Sequence, residues 1–194
     1  MHVSRHHYFT EEQYLRRERE ATERSEYFDG NILAMAGGSL RHNRLCASIS
    51  GALWLRLRGR PCQPSSSDQR LMTPGRLYTY PDVAVYRGKI ELRPGTTDVA
   101  VNPTVLVEVL SDGTREYDTG DKLAAYKTIP SLLHVVLAEP DEALVTVVSR
   151  QGAEWVVAEL RGLDGTVELP GIEVSIPVAE VYDGLVGPEG PLAI

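Results

Sequence analysis

Asp82, Glu108 and Lys122 are the residue types of a phosphodiester-hydrolysing centre, and they fall on consecutive elements. Asp82 follows Pro81 at the head of an apolar run, Val83 to Tyr86. Glu108 interrupts a stronger run, with Val105, Leu106 and Val107 before it and Val109 and Leu110 after it. That pattern marks a strand buried on both faces, where an unpaired carboxylate is costly. Lys122 comes 14 positions after Glu108, on a short helix. Two carboxylates facing one spot from neighbouring strands repel, and one must protonate. A divalent cation removes the conflict, since Mg²⁺ takes oxygen ligands and keeps water positions for a phosphate. A lysine beside it offsets charge building on the phosphate or orients the attacking water.

Each residue also has a structural explanation. Asp82 fits a turn position after proline, Glu108 fits a buried ion pair with an arginine, and Lys122 fits the solvent face of its helix. If Lys122 instead reaches back to the site as a partly solvated ammonium, Lys122→Met is expected to fold normally, still bind metal and cut at least tenfold more slowly. Asp112, Glu116, Asp118 and Asp121 are acids of the kind that turns and helix starts attract. The trio suggests a metal-dependent phosphodiester site without deciding for it.

The elements that must carry these residues are legible in outline. "TEEQ", Thr10 to Gln13, fits a capping box for a helix running to about Arg24. "SEYFDGNILAMAGG" predicts two strands joined at Asp29-Gly30. Leu45, Ile49, Leu53 and Leu57 recur every four residues, predicting a helix from Leu40 that Gly59 stops. Cys46 falls on the core side of that helix, as a buried free thiol. "PSSSD" is expected as a loop, and a hairpin is expected around Pro74-Gly75. Strands follow Pro81 and Pro103, and "YDTGDKLAAYKTI" reads as a short helix before Pro130. "LLHVVLAEP", "ALVTVVSR" and "EWVVAELRG" add three strands, and "IPVAEVYDGL" a closing helical turn.

Composition bounds the function class. A 194-residue chain of 42% hydrophobic content suits one filled core in one domain. No apolar run approaches the ~20 residues of a membrane span, and the opening MHVSRHHYFTEE has no secretory pattern, so a cytoplasmic location is expected. His2, His6 and His7 read as a solvated terminus, and Cys46 and Cys62 form no metal-binding spacing. Net charge is −7, yet residues 41 to 93 carry +7 and the remainder −14. A phosphate backbone feels charge within a Debye length. Arg41, Arg44, Arg56, Arg58 and Arg60 are therefore expected to contact DNA, the alternative being surface charge balanced by neighbouring acids.

"YTYPDVAVY" and "NPTVLVEVLSDGTREYDTGDKLAAYKTIPSLLHVVLAEP" closely resemble the Uma-two family of PD-(D/E)xK endonucleases, widespread in bacteria. "EYFDGNILAMAGGSLRHNRL" is similar to the family's entry hairpin and the histidine-bearing start of its next helix, and "GIEVSIPVAEVYDGL" to its closing segment. The resemblance implies a restriction-endonuclease-like α/β fold, a mixed central sheet flanked by helices, as a single domain over 1–194. Carried over by position, Pro81-Asp82 is the "PD" and Glu108 the second acid. Leu110 stands where the usual lysine falls, and the family's lysine from the following helix is Lys122. Glu26 and His42 match an acidic and a histidine position near the family's site. Ser111-Asp112-Gly113 departs from the family's Ser-Pro-Ser, which alters the loop beside the metal.

The resemblance implies Mg²⁺, with Mn²⁺ as a substitute, held by Asp82, Glu108 and the Val109 carbonyl, with Lys122 assisting. The expected activity is DNA endonucleolysis leaving a 5′-phosphate. The alternatives are a non-cutting domain that binds nucleic acid or protein on the same fold, and a hydrolase of smaller phosphoesters. DNA is the expected partner, no membrane is, and the oligomeric state stays open between monomer and homodimer.

Overall fold

A computed structural model describes residues 8–35, 37–187, 190 and 191; His2, His6 and His7 lie outside the described residues. The chain opens with α1 (Glu11–Glu20), β1 (Ser25–Phe28), β2 (Asn31–Ala34), α2 (Leu40–Leu57), β3 (Cys62–Ser66), β4 (Arg70–Met72) and β5 (Tyr78–Thr79). Then come β6 (Val83–Arg87), β7 (Val99–Ala100) and β8 (Val105–Val109). A continuous helical segment follows: α3 (Arg115–Tyr117), a wide π-turn (Asp118–Lys122) and α4 (Leu123–Lys127). β9 (His134–Ala138), β10 (Leu144–Gln151), β11 (Glu154–Arg161), β12 (Thr166–Leu169), β13 (Val174–Pro177) and α5 (Val178–Val181) complete the core elements.

The main sheet runs β11-β10-β9-β8-β6-β3. Only the β8–β9 pair is parallel, which makes it the mixed sheet expected. A parallel pair cannot be joined by a tight turn and needs a crossover. Here the crossover is the helical segment 115–127, so the same pairing that buries Glu108 brings Lys122 back over the sheet. A second sheet, β2-β1-β5-β4-β7, is covered by α1, whose Tyr14 and Leu15 pack with Tyr27, Tyr78 and Val99.

Side-chain alternation divides the main sheet's contacts. Val83, Val85, Val105, Val107 and Val109 face α2, where Leu45, Ile49, Leu53 and Leu57 form the predicted apolar stripe, and α5 and the β12–β13 hairpin complete that core. Ala84, Tyr86, Leu106 and Leu110 face the other way, onto Leu123, Tyr126, Ile129 and Leu132. Asp82 and Glu108 share the parity of this second set. The β6–β8 register pairs Val83 with Val107, and one step further it sets Asp82 opposite Glu108.

Several expectations are revised. The capping box is present, with Thr10 and Gln13 each accepting from the other's backbone, but α1 ends at Glu20 because Ser25 already belongs to β1. Pro64, Ser65 and Ser66 are not loop but β3, an edge strand where proline costs no inward ladder bond. The β12–β13 hairpin is an addition to the expected elements. Cys46 is only half-buried, and turns toward the site described next.

Candidate active site

Glu26 projects from β1, Asp82 precedes β6, Glu108 stands on β8, and Asp118 and Lys122 come from the π-turn. All five line one open cleft of about 630 Å³, together with His42, Tyr80 and Tyr117. The structure thus brings together the five sequence-nominated side chains Glu26, His42, Asp82, Glu108 and Lys122. The Val109 backbone lines the cleft with them.

Lys122 is the hub. Its Nζ lies 3.1 Å from Glu26 Oε1, 3.1 Å from Glu108 Oε1 and 3.3 Å from Asp118 Oδ1. The expectation of a solvated ammonium is corrected here, since the residue is 5% exposed. The reason lies in the π-turn. It widens the helix by one residue and keeps Asp118 and Lys122, four apart, on the inward face. Burial alone would lower the Lys122 pKa; Glu108, Tyr126, Glu26 and Asp118 outweigh it and hold the amine charged.

Glu108 also accepts a 2.5 Å hydrogen bond from the Tyr126 hydroxyl. Burial raises its pKa to about 8, reinforced by Asp82 and Asp118 and opposed by Lys122 and Tyr126. Glu26 accepts a hydrogen bond from the buried Thr79 hydroxyl. Asp82 is held differently: its Oδ2 accepts the Val109 N–H at 2.8 Å and faces His42 Nε2 at 3.3 Å. That hydrogen bond to Asp82 raises the His42 pKa, against burial. His42 sits in the first turn of α2, where the Ser39 hydroxyl caps its N–H.

Asp118, Tyr126 and Tyr117 belong to the site and do not stand out in the sequence. The Asp118–Lys122 spacing is the available signal, but such pairs ordinarily sit on solvated helix faces. Asp112, by contrast, is fully exposed and pairs with Arg115 at 3.5 Å, so the altered loop adds no buried charge.

The donor set can be tested for a metal. Four acidic side chains (Glu26, Asp82, Glu108, Asp118) meet one ammonium, so acids outnumber cations in the cleft even where Glu108 keeps its proton and His42 gains one. Such an excess in a cleft is what a divalent cation neutralises. The buried Tyr117 hydroxyl, beside Glu26, has no hydrogen-bond partner among the described residues. A buried donor left unpaired is costly, and an oxygen-rich ligand in the cleft would satisfy it. The residues fit a hard cation and a phosphate.

The arginines are less uniform than expected. Arg41 bonds the Pro140 and Leu185 carbonyls at 3.2 and 2.6 Å and pairs with Asp141. Arg56 makes a two-point contact to Glu180 at 2.7 and 2.6 Å, and Arg60 pairs with Glu173 at 2.6 Å. These three fasten α2 and its exit to the rest of the fold. Arg44 and Arg58 are exposed, with no ion pair among the described residues.

The family model described as "Putative restriction endonuclease", Uma2, matches residues 11–179, a span holding every residue of the cleft. The chain belongs to the Uma2 family. Two proteins of Synechocystis sp. (strain ATCC 27184 / PCC 6803 / Kazusa) are similar to this Uma2 protein. One, sll1609, is 32% identical over 167 residues, covering 85% of this chain and 94% of the relative. The other, slr1290, is 31% identical over 176 residues, covering 90% and 91%. A crystal structure of "a putative nuclease belonging to DUF820", from Anabaena variabilis ATCC 29413, matches with a TM-score of 0.72 at 18% identity. It covers 90% of this chain and 97% of that one, so this Uma2 protein has a nuclease-like mixed α/β fold. Among the described residues no helix is long and apolar enough to cross a membrane.

Proposed function

We propose that this Uma2 protein is a divalent-metal-dependent endonuclease that hydrolyses DNA phosphodiester bonds. The observation that carries the proposal is the gathering of four acidic side chains, Glu26, Asp82, Glu108 and Asp118, in one cleft around the single ammonium of Lys122. Asp82, Glu108 and the Val109 carbonyl would hold Mg²⁺, or Mn²⁺ in its place. The ion supplies Lewis-acid polarisation of the phosphate and an acidified water.

The chain's own residues act around it. Lys122 keeps Glu108 and Glu26 turned into the cleft and offsets negative charge as it builds on the phosphate. Glu26, locked by Thr79, fixes the ammonium from the opposite sheet. His42 orients Asp82, and the Tyr117 hydroxyl, beside Glu26, would donate to a phosphate oxygen. Arg44 and Arg58, the two of the five nominated arginines with no ion pair among the described residues, are the proposed backbone-phosphate contacts.

The test is conversion of supercoiled plasmid to nicked and linear forms in Mg²⁺ or Mn²⁺. Wild type should cut, chelator should stop it, and Asp82→Ala should lower the rate by at least ~10². Cutting by Asp82→Ala at the wild-type rate, or none by wild type in either metal, would remove the proposal.

A further inference from the structure

Cys46 lies one helical turn beyond His42 on α2, and residues four apart share a helix face. Its Sγ stands 3.6 Å from His42 Nδ1, while His42 Nε2 stands 3.3 Å from Asp82 Oδ2. These two contacts use opposite ring nitrogens, and an ion takes one of them; with one ligand atom from each residue, a sulfur, a nitrogen and an oxygen donor fall within 4.8 Å of one another. In a tetrahedral zinc site, bonds of ~2.3 Å to sulfur and ~2.0 Å to nitrogen set those two donors roughly 3.5 Å apart, close to the spacing here. The imidazole is also held in place. A Cβ at Gly38 would stand 2.5 Å from His42 Nδ1, so glycine lets the backbone close against the ring.

We infer that His42, Cys46 and Asp82 form a binding site for a borderline-soft divalent cation of the zinc class, next to the hard oxygen site and sharing Asp82 with it. The inference rests on the nuclease proposal only through that shared carboxylate. Thiolate and imidazole select zinc-class ions, whereas Mg²⁺ is served by oxygen alone. Coordination releases the Cys46 thiol proton, one per ion, with no change of oxidation state. An ion held here draws on Asp82 and so antagonises Mg²⁺ at Asp82 and Glu108. A nucleophilic role for Cys46 fits less well. Its thiol faces Asp82 and Glu108, while reactive cysteines sit where positive charge favours the thiolate.

Co²⁺ is the probe, because thiolate-bound Co²⁺ absorbs strongly in the near ultraviolet and oxygen-bound Co²⁺ does not. Titrating the full chain should raise that band to saturation at one ion per chain. One equivalent of Zn²⁺ should bleach it, and equimolar Mg²⁺ should leave it. Cys62→Ser should keep the band, since Cys62 is buried in the α2 core, and Cys46→Ser should lose it. Asp82→Asn should weaken Co²⁺ binding by roughly tenfold or more. Circular dichroism checks each fold, and if Cys46→Ser does not fold, His42→Asn replaces it with the same loss expected. A featureless wild-type titration, or a band that survives Cys46→Ser, overturns the inference. No DNA enters the measurement, so a protein that fails to cut can still show the band. Mg²⁺-dependent cutting without a cobalt–thiolate band would defeat this inference alone.

Discussion

Removing the ammonium from the Glu26–Glu108–Asp118 cluster leaves three buried acidic side chains without the one cation they share. Breaking a buried ionic network from one side typically costs ~3–5 kcal/mol. Lys122→Met should therefore lower the denaturant midpoint by that order. Adding Glu26→Gln, which deletes one of the stranded carboxylates, should recover part of the loss. A Lys122→Met protein as stable as wild type would mean the carboxylates are not charged in the fold. Glu108 itself gives a pH signature. Its folded pKa of about 8 lies above the unfolded value of ~4.3. Its contribution to stability is thus complete below ~4.3 and is lost as pH rises through 8. Glu108→Gln removes that loss. Without metal it should melt above wild type, by a gap that widens from pH 6 to 8 and then levels, and it should lack the Mn²⁺-dependent rise in melting temperature. A gap independent of pH would contradict the assignment. Asp82 and Glu108 are legible because each conflicts with an apolar neighbourhood, Lys122 because a lysine lies on the short helix that follows them, and Glu26 and His42 through the motif likeness. The burial of Lys122 is not. It depends on a π-turn, which one residue of helical phase conceals, and Tyr126 reads as core because its ring is core and only its hydroxyl reaches Glu108.

At the scale of elements, the hairpin that delivers Glu26 turns on two left-handed residues, Asp29 at φ 46° and Gly30 at φ 80°. Such a turn matches the twist of the flanking strands, which is why "DG" announces it. A methyl at Gly30 would be strained and would collide with the Tyr8 ring. Gly30→Ala should cost about 1 kcal/mol or more and lower the thermal midpoint by a few degrees. An unchanged midpoint would show that the turn does not set the register of Glu26. Strands with apolar runs and strong turns are readable for the same reason this hairpin is. β3 is not, because Pro-Ser-Ser has no strand preference of its own and is extended only by pairing with Ala84 and Val85. The β12–β13 hairpin is hidden by its connection, which bends through Glu173 at φ 52° rather than through glycine.

For the molecule as a whole, charge pairing decides which part of the basic segment faces outward. Arg56 and Arg60 neutralise Glu180 and Glu173 across the fold, so their removal should register in stability. Arg44 and Arg58 should register in binding. Changing both to Ala should weaken DNA binding equally across sequences and flatten the slope of log affinity against log salt by about two units. The same flattening from Arg56→Ala and Arg60→Ala would refute this division. The centre is drawn from both sheets and the crossover, and Glu26 and Lys122, which meet at 3.1 Å, lie 96 positions apart in the chain. Translation at roughly 5–20 residues per second separates their synthesis by about 5–20 s. Throughout that interval the nascent polypeptide carries a hairpin glutamate with no ammonium to receive it. A cluster divided in this way cannot close on the ribosome until the crossover helix and the parallel strand behind it have emerged.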